Sequence, residues 1–368
     1  MTTLTRIPCV LMRGGTSKGP FFLASDLPAD AETRDKVLLS VMGSPHVLQV
    51  DGIGGAYPQS SKVAIISKSS DPRADIDYLF AQVSVDRAFV DTKPNCGNML
   101  AGVGPYAIEQ GLFRAAVGET TLRVLNINTD VIVEQTVQTP GGVVAYEGDV
   151  AIPGVPGTAA PIKLGFMDAD GSVTGALLPT GKAVEEIDGV AVTLIDYAMP
   201  MMLLAAADVG LEGGEAPEAI DANTALFARV EALRLEAGRR MGLGDVSGLV
   251  VPKVGLLSRS PAGGTIRSRY LVPTSCHKSH ATTGACCVAA ALAMPGSIAA
   301  EMVGGVLRDS TVVLLEHPEG LMEIAIDLVA GGGNEPPRLK RAATVRTARR
   351  LFEGNVLCPA SVWAGKSA

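Results

Sequence analysis

Aromatic residues are scarce in this chain, at 4% of 368 residues with a single tryptophan. Stacking platforms for single-stranded nucleic acid need more of them. A basic excess is also missing. The formal net charge is −7, which excludes the broad cationic face that a phosphate backbone requires, although a small anion needs only local positive charge. The most apolar stretch, "ACCVAAALAMPGSIAAEMVGG", is interrupted by Pro295 and Glu301 and reads as a buried core helix, not a membrane span. The opening "MTTLTRIPCVLMRGG" lacks the charged, apolar and small-residue segments of a signal peptide. The six cysteines follow no regular framework, so reduced thiols are expected. These features predict a cytoplasmic protein with no nucleic-acid and no membrane partner. The oligomeric state stays open, a homodimer being one form.

Several motifs are missing in the same informative way. "RGGTSKGP" (13–20) has the composition of a phosphate loop, but Thr16 and Ser17 precede Lys18 and Gly19 follows it, which is the wrong order for a nucleotide P-loop. "DGIGGAYP" (51–58) has no Gly-x-Gly-x-x-Gly spacing and no helix pattern after it, so a tight turn beside a pocket is the better reading. "SCHKSH" (275–280), even with Cys286 and Cys287, matches no standard zinc spacing, and no metal is expected. The four histidines follow no nucleophile-elbow motif, so no Ser/His/Asp triad assembles.

What is present is apolar material for two cores. Hydrophobic residues make up 47% and charged residues 19% of a chain about two domains long. The first half reads as strands ("RIPCVLM", "GPFFLA", "SKVAIIS", "DIDYLFAQVSVD", "TTLRVLNIN") around an amphipathic helix in 27–43 and an all-apolar helix in "NCGNMLAGVGPYAIEQGL". The second half repeats the plan, with a helix in "ANTALFARVEALRLEAGRRMGL" and an all-apolar one in "HATTGACCVAAALAMPG". An internal duplication follows: two α+β units, each a set of strands wrapped around one central helix. Gly-rich stretches at 139–157 and 165–175 mark the region between the halves. The division is expected as 1–183, completed by a strand from 355–368, and 184–354. Two buried helix N-termini facing a cleft between the units would offer N–H groups and partial positive charge to carboxylates.

Four groups could carry chemistry. Cys96 opens the first buried helix, a position that favours a thiolate, and Gly97 lets a ligand approach the backbone; a structural cysteine is the alternative. Lys62, after Ser60 and Ser61, opens a strand. Desolvation and nearby cations would make it a base, and a solvated strand end is the simpler reading. Arg269, Lys278 and Thr283 precede Gly284 and suggest either a second anion pocket or a solvated strand edge. Asn98 can hydrogen-bond a carboxylate.

"IPCVLMRGGTSKGPFF", "DGIGG…SSKVAII", "NCGNMLAGVGPYAIEQGL", "LIDYAMP", "HATTGA" and "RTARRLFEGNVLCPASVW" together resemble the family of 2-methylaconitate isomerases and 4-oxalomesaconate tautomerases, which share the fold of diaminopimelate epimerase. The match runs in order over nearly the whole chain, and its detail looks most similar to the 4-oxalomesaconate tautomerases of gallate breakdown. The resemblance implies two pseudo-symmetric epimerase-like domains with the active site between them. It implies an isomerase that moves a proton on an unsaturated tricarboxylate without a cofactor. It makes Lys62 and Cys96 the catalytic pair. Gly15, Thr16, Ser17 and Lys18, with Ser61, Gly97, Asn98, Arg269, Lys278, Thr283 and Gly284, then become the substrate-binding set. Thr283 stands where the epimerases carry a second thiol, which argues against a two-cysteine racemase. The alternatives are a 2-methylaconitate cis-trans isomerase and a carboxylate-binding protein without catalysis.

Overall fold

The computed structural model describes residues 3–167, 169–329 and 338–365. The chain divides into two compact units. Unit 1 comprises residues 1–128, 132–164 and 346–368, and unit 2 comprises 129–131 and 165–345. The sequence placed the division at 183/184 and the returning segment at 355; the units divide at 164/165, and the return begins at Arg346. Residues 366–368 of the anticipated last strand lie outside the described residues.

Unit 1 is built from β1 (Leu4–Gly14), β2 (Ser17–Leu23), α1 (Ala31–Met42), β3 (Lys62–Lys68), β4 (Ile76–Val83), β5 (Val90–Asp91), α2 (Gly97–Leu100), α3 (Val103–Glu109), β6 (Gly118–Asn126) and β7 (Val131–Thr139). Then come β8 (Pro161–Met167), which crosses the division, and β9 (Glu185–Ile187). Unit 2 continues with β10 (Val190–Asp196), β11 (Pro200–Ala205), α4 (Pro217–Asp221), α5 (Thr224–Arg240), β12 (Lys253–Ser258), β13 (Ile266–Val272) and β14 (Ser275–Cys276). It ends with α6 (Thr282–Leu292), α7 (Ile298–Met302), β15 (Thr311–His317) and β16 (Gly320–Val329). The final β17 (Arg338–Pro359) pairs with β16 over its first residues and with β1 from Ala348 onward.

Strand pairing makes the internal duplication explicit. In unit 1, β1–β2 is antiparallel, β2–β3 parallel, β3–β4 and β4–β5 antiparallel, and β4–β6 parallel. In unit 2, β10–β11 is antiparallel, β11–β12 parallel, β12–β13 and β13–β14 antiparallel, and β13–β15 parallel. The order of senses is the same, and the helices interrupt it at the same places. Parallel neighbours need a crossover, which α1 and α5 supply between the second and third strands of each unit.

Local chemistry explains the helix ends. Asp30 accepts the Thr33 N–H at 2.8 Å to start α1, and Gly43 stops it in the left-handed region at φ 74°. Asn223 accepts the Leu226 N–H at 3.0 Å to start α5. The first buried helix differs from expectation: it comes as two short pieces, α2 and α3, separated at Ala101 and Gly102. Two of its residues are packing glycines. A side chain on Gly102 would stand 2.6 Å from the Phe21 ring, and one on Gly104 would meet Val137 and Gln135. The pair lies against β1, β2, β3 and β6, while α6 lies against β10, β11, β12 and β16, so strands wrap a central helix in each unit. All of α6 is buried. Each outer sheet face packs on the crossover helix: Ile7, Phe22, Val63 and Ile65 with α1, and Val192, Leu204 and Leu256 with α5. Among the described residues no helix is long and apolar enough to cross a membrane.

Gly284, anticipated as a substrate contact, has a packing role. A Cβ there would lie 2.3 Å from Tyr270 Cε2, and the Tyr270 ring is hemmed in by His277 and His280, with its hydroxyl 3.0 Å from Met199 Sδ. Gly284→Ala should therefore destabilise the protein by about 2 kcal/mol, the cost of overpacking a closed core. A urea denaturation midpoint equal to wild type would show that the ring can yield.

Candidate active site

Lys62 is the first residue of β3 and faces Gln82 directly across the antiparallel β3–β4 pair. Its Nζ donates to Gln82 Oε1 at 2.6 Å and lies 5.1 Å from the centre of the Phe80 ring. The Gln82 amide is itself fixed, donating to Pro58 O at 3.1 Å and Ser61 O at 2.8 Å. Burial pushes the Lys62 amine below the ordinary lysine range, and its coupling to the neighbouring Cys96 opposes that shift. The sequence attributed a lowered value partly to nearby cations. None contributes: desolvation alone disfavours the ammonium.

Cys96 stands immediately before α2, 9% exposed, and its carbonyl accepts the Leu100 N–H at 2.9 Å and the Tyr78 hydroxyl at 3.2 Å. Tyr78, two residues from Phe80 and four from Gln82, shares their face of β4. One strand thus positions both groups, holding the amine through Gln82 and the thiol's backbone through Tyr78. Next to the thiol, Asn95 Oδ1 accepts from Asn126 Nδ2 at 2.9 Å, while Asn95 Nδ2 is buried without a hydrogen-bond partner.

The "RGGTSKG" turn closes onto the same helix start. A side chain on Gly14 would lie 2.4 Å from Asn98 O, one on Gly15 2.2 Å from Asn98 Oδ1, and one on Gly19 1.8 Å from Lys62 O. Gly15 is also in the left-handed region at φ 52°. Only glycine lets β1 and β2 come so near to the backbone carrying Lys62 and Asn98. Asn98 Nδ2 donates to Thr16 Oγ1 at 3.1 Å, tying the turn to the helix. Ser17 is buried and its Oγ has no hydrogen-bond partner. An unsatisfied buried hydroxyl costs about 1–3 kcal/mol.

The structure therefore brings Lys62, Cys96, Gly97, Asn98, Gly15, Thr16 and Ser17 together. It gives the remaining candidates other surroundings. The Ser61 hydroxyl is already engaged, donating to Val83 O at 2.8 Å and accepting from Gln49 Nε2 at 2.6 Å, so it braces the strand. The Gly15 N–H is spent on Thr347 O at 2.9 Å and is not available to an anion. Lys18 is paired in register with Arg13. Arg13 neighbours Gly14 in β1, and the place a Gly14 side chain would fill abuts Asn98 and Met99. By strand alternation Arg13 and Lys18 therefore take the opposite face from Asn98.

In unit 2, Ser268 and Tyr270 contact His280 and Gly284, so Arg269 between them faces away from α6. Its guanidinium donates to Glu215 O at 2.8 Å and Gly214 O at 2.9 Å, with Nη1 buried and unpartnered. Lys278 is half exposed beside Glu218 at 3.6 Å. Thr283 remains in the first turn of α6, its Oγ1 buried with no hydrogen-bond partner. The anion pocket expected from Arg269, Lys278 and Thr283 is thus dispersed by the alternation of β13. His277 and His280 pack against Tyr270. No disulfide joins any of the cysteines. Gln82 and Tyr78 are the residues that sequence reasoning missed. Their importance arises from cross-strand register, and the period-2 pattern of "DYLFAQV" was the available signal.

Comparison with known proteins identifies the family. The family model described as PrpF protein matches residues 4–359. The chain is 49% identical over 361 residues to a 4-oxalomesaconate tautomerase of Pseudomonas putida, covering 98% of each. It is 49% identical over 349 residues to a (4E)-oxalomesaconate Delta-isomerase of Novosphingobium sp., covering 95% of this chain and 96% of that one. A 2-methyl-aconitate isomerase of Shewanella oneidensis is 34% identical over 390 residues, covering 96% and 97%. Among solved structures, a methylitaconate-delta-isomerase superposes with a TM-score of 0.78 at 35% identity, covering 100% of this chain and 99% of that one. A hydroxyproline epimerase from Agrobacterium vitis superposes at 0.57 with 13% identity, covering 96% and 93%, which places the fold among the diaminopimelate epimerase-like proteins. The chain belongs to the PrpF family and is an isomerase of the group that contains the oxalomesaconate tautomerases and methylaconitate isomerases.

Proposed function

We propose that the chain relocates one proton on an unsaturated tricarboxylate, 4-oxalomesaconate, during the cytoplasmic breakdown of gallate-type aromatic acids. The observation that carries the reading is the buried amine of Lys62, held by Gln82 and set against Cys96. An amine whose ammonium is disfavoured by desolvation is a better-placed base below the ordinary lysine range. It takes the proton from a carbon conjugated with the keto group. The C–H electron pair moves through the double bond onto the keto oxygen, giving a dienolate. Return of a proton from Cys96, at a different atom of the conjugated system, completes the isomer. The formula is unchanged and no electrons are gained or lost.

The developing negative charge needs donors already in place. Thr16 and Ser17, on the turn that Asn98 ties to the helix start, are the hydroxyls assigned to a substrate carboxylate in this reading. The two relatives at 49% identity, named for oxalomesaconate chemistry, support this substrate over 2-methylaconitate, whose isomerase is 34% identical.

Lys62→Met should fold with at least wild-type stability, since it removes a desolvated amine, and should lose roughly a thousandfold in kcat. Cys96→Ser should be impaired less. Wild-type turnover by Lys62→Met would remove the base. In deuterated water, NMR should show one solvent deuteron entering a carbon position of the isomer; conversion without incorporation would contradict exchange at two distinct groups. The pH profile follows from the direction of the Lys62 shift. Activity rises with pH as the ammonium loses its proton, and the acid limb lies below the ordinary lysine value. Gln82→Leu deletes an acceptor that favours the ammonium, so it should move that limb to still lower pH while reducing kcat. A limb that stays in place or moves up would show that Gln82 does not set the amine.

A further inference from the structure

Three cations stand in one row of the unit 1 sheet. Arg13 on β1 is directly opposite Lys18 on β2 and directly opposite Arg349 on β17. Directly opposed residues of antiparallel strands project on the same face, and like charges so placed destabilise the pair. Nothing among the described residues relieves this row. Neither Lys18 nor Arg349 makes a hydrogen bond or ion pair, and Arg13 Nη1 donates only to two carbonyls, Gly15 O and Thr347 O, each at 2.9 Å. Arg350, the next residue, is by contrast neutralised by Glu109 and Glu353.

All three cations line a single cavity of about 740 Å³, walled on its far side by the segment 146–159. Its one carboxylate, Glu147, is in ion-pair contact with none of them. Burial, and then the charge of Arg349, push the Arg13 guanidinium below its usual range, so the repulsion is felt at the half-buried centre of the row. The three cations project from the face turned away from Asn98 and Met99, while Thr16 and Ser17, on the turn that Asn98 holds, also line the cavity, so it adjoins the surroundings of Lys62 and Cys96.

We propose that Arg13, Lys18 and Arg349 form an anion site for a polycarboxylate. Two inter-strand spacings make the row about 10 Å long. A single phosphate would reach two of the cations at most, whereas carboxylates spread along a short carbon chain match all three. Guanidinium forks take carboxylates two oxygens at a time, and Arg349, the guanidinium of the row that makes no hydrogen bond among the described residues, is the residue on which recognition turns. The choice of a tricarboxylate rests on the function proposed above, but binding is read without turnover, so the two readings fail separately.

The test uses tricarballylate, an unreactive tricarboxylate, against matched ionic strength of chloride. Calorimetry and thermal unfolding follow the wild type, Lys62→Met and Arg349→Gln. Wild type and Lys62→Met should both bind and be stabilised. Arg349→Gln should weaken tricarballylate roughly tenfold or more, as expected for a lost charge-assisted contact, and its ligand-free form should melt no lower than wild type because a like-charge contact is gone. A purely structural arginine would give the reverse, a lower ligand-free melting temperature with tricarballylate binding intact, and that result overturns the site. Steady-state kinetics on the tricarboxylate substrate identify the source of the anion: a raised KM in Arg349→Gln assigns it to the substrate's own distal carboxylate, and an unaltered KM assigns it to a second molecule.

Discussion

An amine withheld from water is the constraint on which the site depends. Lys62 has a single hydrogen-bond acceptor, Gln82, whose amide is locked by two backbone carbonyls. The strand that carries Gln82 also carries Phe80 beneath the amine and Tyr78 on the carbonyl of Cys96. Slipping β4 by one residue would turn all three to the other face. Register, and not any loop, therefore sets the distance between amine and thiol. The bracing of Ser61 by Gln49 and Val83 makes sense in that light, since it pins the residue before Lys62.

Glycine plays the complementary part. The turn 13–19 is crowded against Asn98 and Lys62 so closely that side chains at 14, 15 and 19 would overlap backbone or amide atoms. The sequence displayed these glycines as a motif for anions. Their physical task is close approach.

The outline of two repeated α+β units was legible because crossover helices, turn residues and apolar alternation are local signals, and Asp30, Gly43 and Asn223 lie where such signals end helices. Lys62 and Cys96 were reached through resemblance; chemistry alone left Lys62 as a strand end. What was not legible is what depends on side-chain parity. Arg269, Lys278 and Thr283 are neighbours in sequence, yet β13 turns Arg269 from α6 and Lys278 is out beside Glu218. The nearby cations expected around Lys62 are absent from the causes of its shift, which burial alone produces. The duplicated pairing order shows how one scaffold holds different contents: the first unit's helix start carries Cys96 beside Asn98 and the glycine turn, while the second unit's accommodates the Tyr270 ring at Gly284.

The pairing of β1 with the closing stretch of β17 also bears on how the molecule is made. Leu4 meets Pro359 and Gly14 meets Ala348, so beside its local partner β2 this strand has a second neighbour more than three hundred residues further along the chain. Contacts of such separation are slow to form, and until they do the exposed rim of β1 is open to foreign strands.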